Sequence, residues 1–287
     1  MLSPLNQPIR AQDWQGLRVW IIGASTGIGA ALAQQLARLG ASLVLTARGH
    51  AALEVIADRC RHYHDDSRIL VLPADICNNM SMQSATEEIS ERWNGIDLVI
   101  FNAGTYTATR IDTLTATAIE DALRVNLIAP MVATASVLPL LLQSPNNHRP
   151  KGVAFVASVA GYRGLPRALT YGPGKAGLNS FAESLWIDLN GLELSTWVIN
   201  PGFVRTRLTA QNNFEMPALI EPSDAAAAII KGFATGRFEI HFPKRFSLFM
   251  KGLRMLSIDW YLRLSRRLVP PLNHIDMTSA QSSKKEP

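Results

Sequence analysis

A chain of 287 residues with 47% hydrophobic and 18% charged residues can bury a large core, which excludes a disordered chain and suits one large α/β domain with an appendage. Only Cys60 and Cys77 occur, so no disulfide framework is implied and a reduced, intracellular setting is expected. The formal net charge is +5. Its uneven distribution, described below, bears on partners more than its size does.

The first twenty residues contain prolines, glutamines and an aspartate and lack the apolar core of a signal segment. Residues Leu17 to Ile22 form a short apolar run that predicts a strand. Gly23-Ala24-Ser25-Thr26-Gly27-Ile28-Gly29 follows, and a helical pattern runs from Ala30 to Leu39. Strand, glycine turn and helix is the context in which a glycine motif becomes a dinucleotide site. Gly23 permits the tight turn, Gly27 a close backbone approach to a pyrophosphate, and Gly29 close packing of helix on strand. The helix N-terminus offers N–H groups and a positive dipole end to the phosphates. The second predicted strand, Ser42 to Ala47, is followed by Arg48-Gly49-His50. An acidic residue at this point would bind the adenosine ribose and repel a 2′-phosphate. Arg48 instead presents a guanidinium suited to phosphate, which favours NADP(H) over NAD(H). The bland alternative is that Arg48 stacks on the adenine.

Further strands are predicted at Arg68–Leu72, Asp97–Phe101, Gly152–Ala157, Ser195–Asn200 and Phe238–Phe242, with helical patterns between most of them. That alternation implies a doubly wound parallel sheet in a three-layer αβα, Rossmann-like arrangement. Runs such as Leu98-Val99-Ile100-Phe101 suit strands buried on both faces. Ligand residues are therefore expected just beyond strand C-terminal ends, where Gly23, Arg48, Asp75, Asn102, Ser158 and Pro201 all stand. The uncharged run Val125 to Leu142 is long enough to raise the question of a membrane span. Asn126, Pro130, Thr134, Ser136 and Pro139 argue instead for a long helix against the sheet, and against a partner subunit. The histidines, His62 and His64 included, show no metal-ligand spacing; they read as surface residues, and no metal is expected.

Tyr171-Gly172-Pro173-Gly174-Lys175 begins thirteen residues after Ser158. Four residues apart, Tyr171 and Lys175 share a helix face. An ammonium near the phenol is expected to lower its pKa from about 10 and let it exchange a proton with an alcohol oxygen near neutral pH. Ser158 supplies a hydroxyl for the same oxygen. Such a pair alone arises by chance on surface helices, and the rest of the chain gives it weight.

The C-terminal part is set apart by charge. Residues 237 to 287 carry ten Lys/Arg and four Asp/Glu, a net of +6, against −1 for the preceding chain. Residues 246–256 are apolar with embedded cations. From Ser257 to Leu268 the pattern is amphipathic: Ile258, Tyr261, Leu262 and Leu268 share one helical face, opposite Asp259, Arg263, Arg266 and Arg267. A basic amphipathic helix with Trp260 and Tyr261 can lie in a membrane interface. The competing expectations are a helix folded over the substrate cleft or a dimer contact. Nucleic acid is not an expected partner, because the cations alternate with large apolar residues. The expected division is a dinucleotide-binding and catalytic domain over 1–242, a basic amphipathic helical extension over 243–272, and a disordered tail over 273–287.

Taken together, Gly23, Gly27 and Gly29, Asp75, Asn102-Ala103-Gly104, Asn126, Ser158, Tyr171, Lys175, Asn200-Pro201-Gly202 and Thr206 resemble the short-chain dehydrogenase/reductase family in order and spacing over roughly residues 15 to 242. Small departures occur. Ile22 stands where a threonine is common, Phe101 where an asparagine is common, and Pro173-Gly174 are unusual between the tyrosine and lysine. None removes a chemical group from the catalytic set.

The resemblance implies an NADP(H)-linked oxidoreductase acting on a carbonyl or secondary alcohol. Ser158, Tyr171, Lys175 and Asn126 would be catalytic, with Asn126 positioning a water that links Lys175 to solvent. The less specific role for Asn126 is to stabilise a helix bend near Pro130. Cofactor contacts are expected from Gly23, Ser25, Thr26, Gly27, Ile28 and Gly29, and from Arg48, Asp75 and Ile76. Asn102, Ala103 and Gly104 would line the cofactor's middle, with Tyr171 and Lys175 beside it. Pro201, Gly202, Val204 and Thr206 would hold its nicotinamide end. The loop Phe203 to Leu219, with Leu208, Phe214 and Met216, suggests a small, partly apolar substrate. A cytoplasmic homo-oligomer, dimer or tetramer, with peripheral membrane contact through the basic end, completes the expectation. The other functional class is a nucleotide-sensing or regulatory protein that keeps the fold without turnover.

Overall fold

The computed structural model describes residues 4–63, 66–145, 149–212 and 215–268. Seven strands form one sheet: β1 Arg18–Ile22, β2 Ser42–Thr46, β3 Ile69–Val71, β4 Leu98–Phe101, β5 Gly152–Val156, β6 Ser195–Pro201 and β7 Glu239–Phe242. Their order is β3-β2-β1-β4-β5-β6-β7, and every pairing is parallel. The strands match the expected runs to within a residue or so at either end. Because β1 pairs with β2 on one side and β4 on the other, the winding reverses between β1 and β4. A crevice opens at such a reversal, beyond the strands' C-terminal ends.

Alternation along each strand builds two cores. Val19 and Ile21 of β1 face one side, in a cluster with Leu32 and Leu36 of α1 (Gly27–Arg38), Leu53 of α2 (His50–Arg61) and Ile229 and Phe233 of α7 (Pro222–Phe233). Trp14, before the sheet, packs edge-on to Phe233, as does Trp197 of β6, with ring centroids 5.7 and 5.1 Å apart. Trp20 and Ile22 face the other side, among Ile89 of α3 (Asn79–Trp93), Val137 and Leu141 of α5 (Ala129–Gln143) and Leu178 of α6 (Tyr171–Asp188). At the N-terminal edge Arg18 and Asp97 form a 2.6 Å ion pair that ties β1 to β4. Arg18 and Ser144 hold the Asp97 carboxyl below its ordinary range against the opposing effect of burial.

The apolar run at Val125 to Leu142 proves continuous with its surroundings. Residues Ala116–Gln143 are long and apolar enough to cross a membrane by length and composition alone. They comprise α4 (Ala116–Leu123), a π-helical turn at Arg124–Ile128, and α5. The α5 segment packs on α3, with Ala133, Val137, Leu140 and Leu141 buried, as a core helix should be. Its outer face leaves Met131, Val132 and Leu142 exposed, next to the exposed Ile128 of the π-helical turn.

Beyond β7 the chain forms α8 (Lys244–Met255) and α9 (Ile258–Arg266). Among the described histidines, His50 and His62 are exposed. His241 corrects the surface reading. It lies buried on β7 with its Nδ1 2.7 Å from Ser247 Oγ, and burial with nearby cations lowers its pKa to about 4. His64 and the segment from residue 269 onward, including the expected tail at 273–287, lie outside the described residues.

Candidate active site

The glycine loop closes directly onto the next strand's loop. Gly23 has φ +96°, and a Cβ there would stand 2.6 Å from the Ala103 nitrogen. A Cβ on Gly29 would stand 2.1 Å from the Gly23 carbonyl oxygen, so only glycine lets α1 start this close to β1. The loop is pinned by Asn102, whose Nδ2 donates to Gly23 O at 2.7 Å, and by the Asn102 and Ala103 amides, which donate to Ile22 O. Thr26 caps α1 without a side-chain hydrogen bond, leaving first-turn N–H groups available to an anion. Gly27 faces Thr206, whose Cγ2 would lie 3.0 Å from a Cβ at that position. Residues 179 positions apart in sequence thereby border one cradle.

The end of the crevice beyond β2 and β3 is equally compact. Asp75 Oδ1 accepts from the Cys77 amide at 3.0 Å, and Ile76 between them is buried. Arg48 is exposed at the end of β2. Arg48 and Arg124 both lie near enough to Cys77 to draw its pKa down, against the larger effect of burial. Arg124 is a second cation at this end that the sequence reading did not single out; it opens the π-helical turn, a feature invisible to helical periodicity.

Ser158, Tyr171, Lys175 and Asn126 converge at the ends of β4 and β5. Ser158 follows β5. Its amide donates to Asn200 Oδ1 at 3.0 Å, and its hydroxyl lies within hydrogen-bonding reach of Tyr171. Tyr171 opens α6, so Pro173 occupies the helix's first turn, where a missing N–H costs nothing. Lys175, one turn on, is buried and donates from Nζ to Val156 O at 2.9 Å. Its Nζ lies 5.7 Å from the Tyr171 ring centroid.

The electrostatics differ from the expectation of a lowered phenol. Burial pushes Tyr171 up to about 12; the Ser158 hydrogen bond opposes the rise and Tyr106 adds to it. The Lys175 ammonium is directed to a backbone carbonyl, and burial lowers its own pKa to about 8. Tyr106 packs edge-on to Tyr171 at 5.1 Å and closes that side of the phenol.

Asn126 sits within the π-helical turn. Its Nδ2 donates to Thr105 O at 2.8 Å and Ala122 O at 2.9 Å, and its Oδ1 accepts from the Thr105 amide at 3.2 Å. The side chain thus stabilises a widened helical turn, a few residues before Pro130, and holds the Thr105 loop beside it. A Cβ on Gly104 would meet Asn126 Oδ1 at 3.1 Å and Lys175 Nζ at 3.4 Å, so this glycine brings the two polar groups together.

On the far side Pro201 O lies 3.5 Å from Ser158 Oγ, and the Gly202 amide donates to Phe242 O at 2.7 Å. Val204 is buried, and the Thr206 amide donates to Thr209 Oγ1. In the following loop Phe203 packs against Phe246 of α8, with ring centroids 5.6 Å apart. Leu208, Met216 and Leu219 are half-buried, and Phe214 lies outside the described residues.

A polar hub at Glu239 also escaped the sequence reading. Its carboxylate accepts from Asn200 Nδ2 at 2.9 Å, from the Tyr162 hydroxyl, and from Lys251 Nζ at 2.5 Å. Through Asn200 it is one residue removed from the Ser158 amide, and through Lys251 it anchors α8. The signal was the alternation in β7, which puts Glu239 and His241 on one face of an otherwise apolar strand.

The model of the family described as short chain dehydrogenase matches residues 18–216. An uncharacterized oxidoreductase of Myxococcus xanthus is 31% identical over 252 residues, covering 86% of this chain and 96% of that protein. The 11-beta-hydroxysteroid dehydrogenase-like 4A of Arabidopsis thaliana is 30% identical over 232 residues, covering 77% of this chain and 75% of that protein. Among solved structures, a short chain dehydrogenase/reductase of Burkholderia phymatum in complex with NAD superposes with a TM-score of 0.76 at 22% identity, over 91% of this chain and 99% of that one. The Pseudomonas aeruginosa RhlG/NADP active-site complex superposes at 0.71 and 24% identity, over 86% and 100%. The chain belongs to the short chain dehydrogenase family and is an oxidoreductase of that kind.

Proposed function

We propose that the protein is an NADP(H)-dependent reductase of a carbonyl, or dehydrogenase of the matching secondary alcohol, on a small and partly apolar substrate. The observation that supports it most is the convergence of Ser158, Tyr171 and Lys175 beside the cradle formed by Gly23, Gly27 and Gly29, whose van der Waals space a single Cβ would fill. The nicotinamide group, when bound, supplies or takes the hydride.

Tyr171 Oη gives its proton to the substrate oxygen during reduction, and Ser158 Oγ holds that oxygen in place. A phenol kept protonated at neutral pH is already in the state reduction requires. Lys175, with a pKa near 8, can return a proton to the tyrosine, and Asn126 keeps an acceptor lone pair beside it for a water in the same relay. Arg48 and Arg124 favour the 2′-phosphorylated cofactor at the adenosine end. The enzyme works in the cytoplasm as a homo-oligomer joined through the exposed outer face of α5, with its C-terminal helices as a peripheral membrane hold.

The test is nicotinamide oxidation against a panel of ketones and aldehydes, with both cofactors, in wild type and Arg48→Asp. Turnover with NADPH preferred over NADH is expected. The preference should fall at least about tenfold in the variant, as a phosphate partner becomes a repelling charge. No turnover across the panel with nucleotide still bound would favour the sensing alternative. An unchanged preference would remove Arg48 from the 2′-phosphate.

A further inference from the structure

Of the 22 described large apolar side chains that stand exposed, nine fall between Leu248 and Leu268. Seven of them stand on two short helices, α8 and α9, and Leu256 and Leu268 just beyond the helix ends. On α8 the inner face is Phe246, Met250 and Leu253, packed against Val159 and Tyr162, with Ser247 bonded to His241, while Leu248 and Phe249 are exposed. On α9 Tyr261 is the buried residue; its hydroxyl donates to Gly164 O at 2.5 Å under the Arg163 guanidinium. The flanking residues of its apolar arc, Ile258, Trp260, Leu262 and Leu264, are 48–66% exposed. A helix whose apolar arc is three or four residues wider than its contact with the protein has surface left for another partner.

Charge identifies that partner. Arg245, Arg254, Arg263 and Arg266 are exposed on the same two helices, as is Arg267 at the end of α9, and Asp259 is the only acidic residue from 244 to 268. A second copy of this chain would bring the same cations face to face, with only Asp259 to offset them. Here arginines flank each apolar group, and Arg263 lies over the Trp260 ring at 5.8 Å. Apolar burial together with cation attraction is the requirement for the interface of an anionic bilayer.

The surface is also joined to the chemistry. Arg163, on the loop after Ser158, donates to the carbonyls of Arg254 and Leu256 at 2.8 Å each, bracing the α8–α9 turn. Phe246 of α8 faces Gly202 and Phe203 at the nicotinamide end. We propose that α8 and α9 form a docking surface for anionic phospholipid bilayers that holds the catalytic end of the cleft against the membrane, so that the substrate is an apolar carbonyl or alcohol dissolved in the lipid. The docking stands on the surface alone. The substrate class rests on the oxidoreductase reading above.

The test is flotation of the full chain with phosphatidylcholine vesicles, with and without phosphatidylserine. Wild type should float with the anionic vesicles and be released by high salt. Arg263→Glu/Arg266→Glu/Arg267→Glu, and separately Trp260→Ser/Leu264→Ser, should reduce the bound fraction at least about tenfold, with reduction of a water-soluble ketone unchanged as proof of an intact fold. Failure of wild type to float at low salt overturns the docking and leaves the oxidoreductase reading untouched. A shift in oligomeric size in either variant, without vesicle binding by wild type, assigns the surface to a second copy instead. For the substrate class, kcat/KM on a long-chain ketone should rise when anionic vesicles are added to wild type and stay flat in the variants. Equal values with and without vesicles, in a wild type that floats, overturn the lipid-substrate inference alone.

Discussion

A buried ammonium such as Lys175 costs the fold stability. The unfolded chain holds that proton to its ordinary value of 10.5, the folded chain only to about 8. Below pH 8 both states are charged, and folding bears the whole penalty of burial. Between pH 8 and 10.5 the folded lysine loses its proton and the penalty fades. Lys175→Met should therefore stabilise the protein at neutral pH while destroying activity. The gain should be about 1–2 kcal/mol, less than the full pKa difference because Val156 O loses its donor. Urea unfolding at pH 7 and at about pH 9.5 checks this: the variant's advantage should shrink at the higher pH. An advantage equal at both would mean that the ammonium is not the source. Tyr171 shows what residue-level sequence reading missed. Spacing correctly put phenol and lysine one turn apart, but the direction of the pKa shift depends on burial and on where the ammonium points, neither of which is a property of spacing.

Among the elements, β7 and α8 carry the largest surprise. The sequence marked residues 243 onward as an appendage, yet α8 is fastened to the Ser158 loop through Lys251, Glu239 and Asn200. Glu239→Gln preserves the shape of the carboxylate and removes its charge, leaving Lys251 without a counter-charge. The expected result is a loss of about 1–2 kcal/mol in stability and faster proteolysis within α8. A several-fold drop in kcat with little change in KM should accompany it, because the Ser158 anchor loosens while the substrate pocket remains. A purely structural role would lower stability and leave the kcat and KM of the folded fraction as they are. The strands and the glycine turn were legible because alternation and apolar runs are local signals. The π-helical turn at Asn126 was not, because a one-residue change in the local hydrogen-bond ladder leaves no mark on apolar periodicity; nor was the hub at Glu239, whose partners lie 12 to 77 residues away.

At the scale of the whole molecule the parallel sheet explains why widely spaced motifs make one site. All seven strands end at the same edge, so the turns after Ile22, Phe101, Val156 and Pro201 come together although nearly 180 residues separate the first from the last. The reversal of winding between β1 and β4 opens that edge for a dinucleotide. Topology of this kind was readable from alternation of strand and helix, and the charge asymmetry of the C-terminal end was readable from counting. How α8 and α9 sit on the core was not, since an amphipathic pattern gives the width of an apolar face and not the surface it meets. The central claim is that Tyr171 donates the proton while the glycine loop independently holds the nucleotide. Replacing Tyr171 by Phe keeps the ring against Tyr106 and removes only the hydroxyl. Single-turnover reduction of the best ketone by NADPH, measured beside NADPH binding in the same variant, tests that claim most directly. The account predicts a rate lower by at least about a hundredfold with nucleotide affinity within about threefold of wild type; a variant that retains more than about a tenth of the wild-type rate would contradict it.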